Sequence, residues 1–449
     1  MAFTSRGLTR RQNIAVIGSG IAGMSAAWLL SQKHDITVYE RNARLGGHSN
    51  TVTVKTSLGE TPVDTGFIVF NDVTYPNLVA LFDHLGVPTK SSDMSFGVSL
   101  KGGAIEYSSV GASAFLCGGR NLWSPRFWSM TLDLLRFYKN APLDLLGARE
   151  TMISLGEYLK KRGYGDAFQR DHLLPQAAAI WSASLAEIHH YPACAFVRFF
   201  ENHGLLKLKG RPQWSTVEGG SRAYVEKLTA AYADRVRLGA GAVRVRRDGG
   251  AVWVTDASGA TERFDSVVIA THGDEALGML DDPSAEERRL LGAFKYAKNR
   301  AVLHTDRALM PRREALWASW NYVGDNPDGG CVVSYWMNKL QRIESKEQIF
   351  LTLNPQIMPR ESTILYETEY DHPLFNEAAI RAQEEIWSLQ GARNTWYCGA
   401  HFGAGFHEDG LQAGLAVAEQ LGGVRRPWTV EDESGRIHLP APQRPALAA

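Results

Sequence analysis

A glycine-rich turn near the start of the chain limits the possible folds more than any other feature. The apolar run Ile14 to Ile17 leads into GSGIAG, which has glycines at 18, 20 and 23, and a helix-like stretch follows. The run DITVY at 35–39 supplies a second strand, and Glu40 ends it at about 20 residues beyond the glycines. This order of strand, glycine turn, helix, strand and acid predicts a parallel α/β sheet that binds a dinucleotide.

The glycines of this turn are predicted to have different physical roles. Gly18 permits the tight turn, Gly20 lets the backbone approach a pyrophosphate, and Gly23 lets the helix pack closely on the strand. Glu40 is placed to bond the ribose hydroxyls, and its charge disfavours the 2′-phosphate of NADP. The start of the helix offers free N–H groups to phosphates, and the other cofactor contacts predicted here are Ser19, Ile21 and Ala22.

The segment after Glu40 distinguishes a flavin from a nicotinamide cofactor. It reads ERNARLGGHSNT and contains Arg41 and Arg44 before the pair Gly46-Gly47. This pattern resembles the superfamily of flavin amine oxidases, protoporphyrinogen oxidases and phytoene desaturases. The resemblance implies FAD as the cofactor, with this backbone packed against the pyrophosphate and the flavin end. His48 stands where many relatives have arginine, and it is included among the predicted FAD contacts.

Three more segments extend the resemblance along the chain. Asp64-Thr65-Gly66 resembles the segment beneath the flavin, where Thr65 and Gly66 would contact the ring or the ribityl chain. Residues 240–271 resemble the β-meander and return strand of FAD domains, in which the backbone of Val243 would contact the adenine. The last segment, NTWYCGAHFGAGFHEDGLQAGLAVAEQL, implies a helix that starts at about Gly410 and points at the flavin. Its implied contacts are Gly399, Gly410, Leu411 and either Asp409 or Glu408, since Ala400 stands where relatives often have an acid.

These segments imply a Rossmann-type FAD-binding domain with glutathione-reductase-like, amine oxidase topology, interleaved with an α+β substrate domain. The FAD-binding domain is predicted at 13–85, 215–275 and 390–425, and the substrate domain at 86–214 and 276–389. Strands of an antiparallel sheet are predicted from the runs NRAVLHTD, ALWASWNYV, CVVSYWMNKL and IFLTLNP. Residues 426–449 are proline-rich and are predicted to form an extended, mobile tail.

Composition excludes several classes of function. The 48 basic and 48 acidic residues give a net charge of zero, which argues against a nucleic-acid partner. The four cysteines lie far apart in the sequence, so neither a redox pair nor a zinc module is predicted, and no metal site is expected. The sequence shows no signal peptide and no run of about 18 apolar residues, so we expect a cytoplasmic location.

One helix of the substrate domain combines apolar and basic residues. Ser124-Pro125 marks its start, a serine N-cap followed by proline at the first helical position. Apolar residues occupy two neighbouring faces, and the charged residues in and beside the helix are Arg120, Arg126, Asp133, Arg136 and Lys139. The pattern fits either a buried helix with snorkelling basic side chains or a helix that makes reversible peripheral contact with a membrane.

Candidate catalytic groups are few, because a bound flavin would perform the redox step. A histidine with a pKa of about 6.5 can act as a base or a proton relay at neutral pH. The histidines in glycine- or proline-marked segments near predicted flavin contacts are His48, His372, His401 and His407. Cys398 is predicted to be a buried core residue, with covalent flavin attachment there or at a histidine left open. Candidate pocket walls are Trp181-Ser182, Trp317, Trp320, Tyr335 and Trp336.

Three functions fit these patterns. The segments LGGHSNTV, DTGFIVFN, VLHTD and WASWNY resemble a bacterial group of flavoproteins associated with methylated and furan fatty acids. That resemblance implies dehydrogenation, or desaturation, of an apolar lipid-like substrate, a methylated or unsaturated fatty acyl chain, with O2 or another acceptor reoxidising the flavin. The alternative is an amine oxidase acting on a polyamine or aryl amine, with a cage at Trp396 and Tyr397 and a lysine at Lys295 or Lys298. A flavin-binding chaperone or sensor is the third, and no pattern predicts the oligomeric state.

Overall fold

The computed structural model describes residues 10–145, 153–181, 184–324 and 332–440. The strands are β1 (Asn13–Ile17), β2 (Asp35–Tyr39), β3 (Thr51–Thr56), β4 (Gly59–Asp64), β5 (Phe70–Asn71), β6 (Thr89–Ser91), β7 (Phe96–Leu100), β8 (Ile105–Ser108), β9 (Trp214–Val217), β10 (Val236–Arg237), β11 (Ala242–Asp248), β12 (Ala251–Asp256), β13 (Thr261–Phe264), β14 (Ser266–Ile269), β15 (Lys295–His304), β16 (Trp320–Gly324), β17 (Val333–Trp336), β18 (Phe350–Leu353), β19 (Ile364–Leu374) and β20 (Thr395–Tyr397). The helices are α1 (Ile21–Ser31), α2 (Pro76–Leu85), α3 (Ala112–Phe115), α4 (Pro125–Leu145), α5 (Leu155–Lys161), α6 (Asp166–Phe168), α7 (Leu174–Trp181), α8 (Leu185–His189), α9 (Ala193–Asn202), α10 (Arg222–Thr229), α11 (Gly273–Met279), α12 (Ala285–Leu291), α13 (Met337–Leu340), α14 (Glu377–Glu385) and α15 (His407–Leu421).

A five-stranded sheet in the order β10-β2-β1-β14-β20 organises the first part of the molecule, and all its strand pairs are parallel. The strands β1 and β14 are almost wholly buried, as near-continuous apolar runs are in parallel sheets covered on both faces. The sheet draws on all three segments assigned to the FAD-binding domain. It confirms the predicted α/β fold class.

A seven-stranded sheet in the order β19-β15-β18-β17-β16-β7-β8 organises the second part. Its strands come from both segments assigned to the substrate domain, and β16 pairs with β7 in parallel while the other pairs are antiparallel. The apolar and β-branched runs predicted as strands contribute β15, β16, β17 and β18, and the facing side chains form a second hydrophobic core.

The helix predicted at Ser124-Pro125 is α4, and the Ser124 side chain accepts a hydrogen bond from the Phe127 amide at 3.2 Å. Only one face of α4 is buried, so the expectation of a buried helix holds for that face alone. The buried residues are Phe127, Met130, Leu134, Phe137, Ala141 and Leu145. Neither α4 nor any other helix of the described chain has the length and apolarity needed to cross a membrane.

The described part of the predicted tail, residues 426–440, is packed against the body of the protein rather than extended and mobile. Arg426 is 2% exposed and pairs with Glu419, and Trp428 stacks on Trp28 with ring centroids 5.9 Å apart. Prolines predict a loss of regular structure correctly here, but ion pairs and ring contacts hold the irregular chain in place. Residues 441–449 lie outside the described part.

A buried carboxylate joins the two parts of the molecule. Asp64 ends β4, and its side-chain oxygens accept hydrogen bonds from Thr51 Oγ1 at 2.6 Å, from the Ser221 amide at 2.9 Å and from the Ser221 hydroxyl at 2.7 Å. Gln341, from the second part, donates its Nε2 to the same carboxylate at 2.7 Å and accepts from the Asp64 amide at 2.9 Å. Because Thr51, Ser221 and Gln341 all donate to the side chain of residue 64, that side chain has to be a hydrogen-bond acceptor.

We predict that Asp64→Asn lowers the free energy of unfolding by about 3 kcal/mol, because the new amide turns a donor toward buried donors. Thr51→Val removes a single hydrogen bond and should cost about 1 kcal/mol. Urea unfolding of both variants measures the two losses. Equal losses would show that the carboxylate has no special role.

Candidate functional site

The glycine turn brings α1 unusually close to the end of β1. A Cβ atom on Gly23 would lie 2.0 Å from the Gly18 carbonyl oxygen, and Gly18 has φ +97°. A Cβ on Gly20, by contrast, would meet no atom within 4 Å. Gly23 therefore sets the contact between helix and strand, while Gly20 leaves open space in front of the helix.

The start of α1 has the chemistry of an anion-binding site. Gly20 is its N-cap residue, no side chain caps the helix, and its first turn contains no acid. Unbonded N–H groups and the helix dipole favour a phosphate at such a position. The open cradle at Gly20 and the free amides fit the pyrophosphate of FAD.

Glu40 is buried directly behind this turn. Its Oε2 accepts hydrogen bonds from the Ser19 amide at 3.1 Å and the Ser19 hydroxyl at 2.5 Å, and its Oε1 accepts from the Asn42 amide at 2.8 Å. Arg41 is exposed and pairs with Glu275 at 2.6 Å. Gly46, with φ +108°, donates its amide to the Ser19 carbonyl at 3.0 Å. Glu40 and Gly46 thus hold the turn in shape from two sides.

One cavity of about 850 Å³ runs from this turn into the second part of the molecule. Most of the predicted cofactor contacts line it: Gly18, Ser19, Gly20, Ile21, Ala22, Glu40, Arg41, Arg44, Gly47, His48, Thr65, Gly66, Val243 and Gly399. Gly23, Gly46, Asp409, Gly410 and Leu411 are not among its lining residues. Gly23 and Gly46 act behind the cavity wall, as described above.

The last helix differs from the expectation. It begins at His407 rather than at about Gly410, because Asp409 accepts a hydrogen bond from the Phe406 amide at 2.7 Å and so caps the helix. Asp409 is fully buried and pairs with Arg436 at 2.6 Å, so its carboxylate is turned away from any ribityl chain. Glu408, the alternative, is also buried and accepts from the Asn77 and Leu78 amides.

Gly410 and Leu411 pack the helix against its neighbours. A Cβ on Gly410 would lie 2.9 Å from the Ile21 side chain, and Leu411 has no exposed surface. Neither residue lines the cavity, and their contact with the cofactor stays a prediction.

The four candidate histidines all line the cavity. His48 stacks on Tyr370 and on His372, with ring centroids 4.9 Å and 5.5 Å apart. His407 lies flat on Phe67 at 3.7 Å, and its Nε2 is 2.7 Å from the Tyr224 hydroxyl and 3.0 Å from the Ser49 hydroxyl. His401 packs edge-on against Phe294 at 4.8 Å.

Burial keeps these imidazoles neutral. It lowers the pKa of His372 to about 4 and the pKa values of His401 and His407 to about 3, with the charge of His272 adding to the effect on His372 and His401. Burial also moves the pKa of His48 well below its ordinary value, and the neighbouring His372 adds to that shift. At neutral pH the cavity wall presents uncharged rings.

The cavity continues into the second part of the molecule, and we call that part of it the chamber. The lining residues of the chamber lie on α7, on α9, between α9 and β9, on β9, and on or just before strands of the seven-stranded sheet. They are Met94, Phe96, Gln176, Ala179, Ile180, Trp181, Phe199, His203, Leu205, Trp214, Trp320, Tyr335, Leu351 and Leu353. Apart from Gln176 and His203 they are apolar or aromatic. Burial lowers the pKa of His203 to about 3, so it too is neutral.

The residues predicted as pocket walls lie in two different places in the structure. Trp181, Trp320 and Tyr335 line the chamber, whereas Trp317 and Trp336 pack with Phe350 in a separate cluster. Ser182 lies outside the described residues. Cys398 is fully buried, and burial raises the pKa of its thiol, which suits a core residue.

The residues predicted for an amine oxidase site lie elsewhere. Tyr397 donates its hydroxyl to Glu287 at 2.6 Å, and Trp396 packs beside Gly391. Lys295 is exposed, and Lys298 pairs with Glu369 on the surface. The described residues that line the cavity include none of these four, nor any other lysine.

Several wall residues were missed from the sequence. Phe67 follows directly on Thr65-Gly66, so its neighbours could have signalled it. Phe199 and Trp214 lie on short elements whose pattern matches ordinary core residues. The described residues contain no cluster of three or more His, Cys, Asp or Glu side chains that could hold a metal ion.

Comparisons with known proteins agree with a flavin cofactor. The family described as flavin-containing amine oxidoreductase matches residues 21–329. A putative flavin-containing monoamine oxidase, AofH, of Mycobacterium tuberculosis is 29% identical over 255 residues, which cover 56% of this chain. The match spans 55% of that relative's length, so the chain covers about half of the curated protein it resembles.

Solved structures share the fold at low sequence identity. Cyclohexylamine oxidase from Brevibacterium oxydans IH-35A has a TM-score of 0.66 at 15% identity, covering 92% of this chain and 100% of that one. A CLA-producing fatty acid isomerase from P. acnes has a TM-score of 0.63 at 16% identity, covering 94% and 99%. These likenesses concern the fold alone.

Two glycine variants separate cofactor binding from folding. Gly20→Ala adds a methyl group to open space at an ordinary φ of −67°, so the free energy of unfolding of the FAD-free protein should change by less than about 0.5 kcal/mol. Its FAD affinity should fall about tenfold or more, because the methyl group blocks the approach to the pyrophosphate. Gly23→Ala should instead cost about 3 kcal/mol of stability, through the clash with the Gly18 carbonyl.

FAD titration by fluorescence quenching and urea unfolding measure both effects. Wild-type FAD affinity in an intact Gly20→Ala protein would contradict the assignment of this turn to the pyrophosphate.

The neutral histidines make stability depend on pH. In the unfolded chain an imidazole binds a proton below about pH 6.5, whereas the folded rings stay neutral until about pH 4 for His372 and about pH 3 for His401 and His407. Unfolding therefore takes up protons in this window, and stability falls as pH falls. The loss per histidine is about 1.4 kcal/mol per pH unit.

Unfolding of the FAD-free protein between about pH 6.5 and about pH 5 tests this window. His401→Gln should reduce the slope of the unfolding free energy against pH by the contribution of one histidine. His190→Gln, at an exposed position, is the control. An unchanged slope in His401→Gln would contradict the assigned neutral state.

Proposed function

The chain belongs to the flavin-containing amine oxidoreductase family, and from that premise we propose that it dehydrogenates an apolar, lipid-like substrate, a methylated or unsaturated fatty acyl chain. The family match confirms the predicted resemblance and the flavin cofactor. The substrate class is an inference from the chamber and from the sequence likeness to flavoproteins of fatty acid modification.

The observation that carries the proposal is the chemistry of the chamber. Its described lining residues contain no charged side chain at neutral pH, and large apolar rings and aliphatic groups dominate. Transfer of each CH₂ group from water into such surroundings contributes about 0.8 kcal/mol, so a long acyl chain gains affinity along its whole length. A free ammonium group would instead lose its hydration without gaining a counter-charge.

The residues of the chain have mainly positioning tasks in this reaction. Bound FAD would accept two electrons and one hydrogen, as a hydride, from one substrate C–H bond, and the hydrogen of the neighbouring C–H bond would leave as a proton to a neutral imidazole of the cavity wall. The turn at Gly18 to Gly23 and the carboxylate of Glu40 would hold the dinucleotide end. The chamber orients the acyl chain and excludes water from the reacting bond.

The hydroxyls that face Nε2 bear on which ring nitrogen of His407 carries the proton. Its Nε2 faces the hydroxyls of Tyr224 and Ser49 at 2.7 Å and 3.0 Å. A neutral ring that accepts the Tyr224 hydroxyl hydrogen at Nε2 carries its own proton on Nδ1. The ring then offers an uncharged N–H group, which polarises a neighbouring acceptor without placing a full charge in the cavity.

An amine substrate is the second candidate, because two carboxylates line another part of the cavity. Glu369 and Asp371 lie on β19 beside His372, and either could attract an ammonium group. Glu369 already pairs with Lys298 at 2.8 Å, which reduces its pull on a second cation.

Anaerobic reduction of the bound flavin distinguishes the two substrates. We expect phospholipids with methyl-branched or unsaturated acyl chains to bleach the flavin absorbance, and putrescine and benzylamine to leave it unchanged. Bleaching by an amine alone would overturn the proposal in favour of an amine oxidase.

A variant that fills the chamber tests the location of the acyl chain. Ile180→Trp adds bulk at a lining position and should slow flavin reduction by acyl lipids about tenfold or more, with FAD content unchanged. Ile357→Trp, at a position 80% exposed, is the matched control and should reduce at the wild-type rate. An unaffected Ile180→Trp enzyme would contradict this assignment.

A further inference from the structure

The outward face of α4 is apolar where a surface helix is ordinarily polar. Its solvent-facing stripe consists of Trp128, Leu132, Leu135, Lys139 and Leu143, spaced four, three, four and four residues apart. Leu132 is 65% exposed and Leu143 is 74% exposed. The buried stripe from Phe127 to Leu145 lies on the opposite side of the helix, so the core does not account for the exposed one.

The turn before α4 continues this surface. Trp123 is 88% exposed and Leu122 is 45% exposed, in a short 3-10 turn that ends at the N-cap Ser124. Exposed apolar patches of this kind mark interaction sites. We call these seven residues, Leu122, Trp123, Trp128, Leu132, Leu135, Lys139 and Leu143, the outer face.

A basic loop lies beside the outer face. Residues 207–211 read KLKGR, and all five are exposed, with Leu208 at 66%. Arg211 hydrogen-bonds to Tyr138 of α4, so the loop adjoins the helix. This loop repeats the combination of apolar and basic side chains found on the outer face.

The same loop borders a small cavity next to the chamber. This cavity, of about 200 Å³, is lined by Arg211 and Gln213, together with Asp93. Met94, His203, Leu205 and Trp214 line both this cavity and the chamber. The basic loop is therefore separated from the chamber by a single layer of side chains.

We propose that the outer face and the loop 207–211 dock on an anionic lipid bilayer, with the small cavity beside the chamber turned toward the membrane. The inserted side chains would be Trp123, Leu132, Leu135 and Leu208, in the interfacial mode of amphipathic helices. Basic residues in and around this surface are Arg120, Arg136, Lys139, Lys207, Lys209 and Arg211. The proposal rests on the proposed acyl substrate for its purpose, while docking itself is independent of turnover.

Charge favours a bilayer over a second copy of the chain. Both acids of α4 are paired with arginines, Asp133 with Arg136 at 3.0 Å and Asp144 with Arg162, so the unpaired charge beside the stripe is basic. A symmetric dimer through this surface would place basic residues opposite basic residues. Anionic headgroups are complementary to the same charges. Because the whole chain has a net charge of zero, an electrostatic attraction to the bilayer would come from this basic surface and not from the protein as a whole.

Vesicle sedimentation of the full-length FAD-loaded protein tests the proposal. The vesicles are phosphatidylcholine alone or an equimolar mixture with phosphatidylglycerol. We expect binding to the mixed vesicles and little binding to the neutral ones. Salt at about 1 M, where the Debye length is about 3 Å, should release the protein.

Two double variants and one control locate the surface. Lys207→Glu/Lys209→Glu should weaken binding roughly 25-fold or more, since each basic residue accounts for about a fivefold change. Trp123→Ser/Leu132→Ser should weaken it about tenfold or more. Lys55→Glu/Ile357→Ser changes an exposed base and an exposed apolar residue on other elements and should bind as the wild type does. Flavin content and thermal unfolding check that each variant is folded.

Several results would overturn the proposal. The first is that the wild type does not bind the mixed vesicles. The second is that the control variant weakens vesicle binding as much as the two test variants do. The third is a concentration-dependent dimer that Trp123→Ser/Leu132→Ser abolishes, while neither the wild type nor this variant binds vesicles. Flavin reduction by detergent-dispersed acyl lipids is measured separately. Docking without reduction would refute the acyl substrate alone, and reduction without docking would refute the membrane surface alone.

Discussion

The contact between Gly23 and the Gly18 carbonyl determines the position of most other parts of the site. With a Cβ excluded at 2.0 Å, α1 can begin directly at the end of β1, and its free amides face the cavity. Helix α15 then packs on α1 by the same means, because a Cβ on Gly414 would lie 2.2 Å from the Ala22 carbonyl oxygen. That second contact places His407, the first residue of α15, at the cavity wall. Two close backbone contacts thus set the starts of α1 and α15 at the cavity.

Local spacing explains which features the sequence could predict. The turn from Gly18 to Gly23, the strand at 35–39 and Glu40 lie within one short segment, so their geometry follows from sequence distance alone. Asp409 could not be assigned in this way, because its partner Arg436 lies in a proline-rich segment without a recognisable pattern. The same holds for Tyr224, which meets Ser49 and His407 only through tertiary folding. The prediction of a mobile tail was wrong for residues 426–440, since composition does not reveal a buried arginine or a ring stacked on Trp28.

Charge is distributed to match the two halves of the cavity. The dinucleotide end carries Glu40, Arg41 and Arg44, which suit phosphates and ribose, whereas the chamber is uncharged at neutral pH. Burial achieves this neutrality by lowering the pKa values of the histidines rather than by excluding histidine from the wall. Exposed basic residues lie instead on the outer surface, at loop 207–211 beside α4. An uncharged chamber near a basic, apolar surface is consistent with a substrate whose body is apolar and whose headgroup is anionic.

We infer that one continuous cavity holds both the flavin and an acyl chain. A crystal structure of the FAD complex grown with a non-reacting saturated analogue of a methyl-branched fatty acid tests this arrangement directly. We expect density for the dinucleotide along Gly18 to Gly23 and for the acyl chain between Trp181 and Trp320. Density for the analogue outside the chamber, or a chamber closed by its own side chains once FAD is bound, would contradict this arrangement.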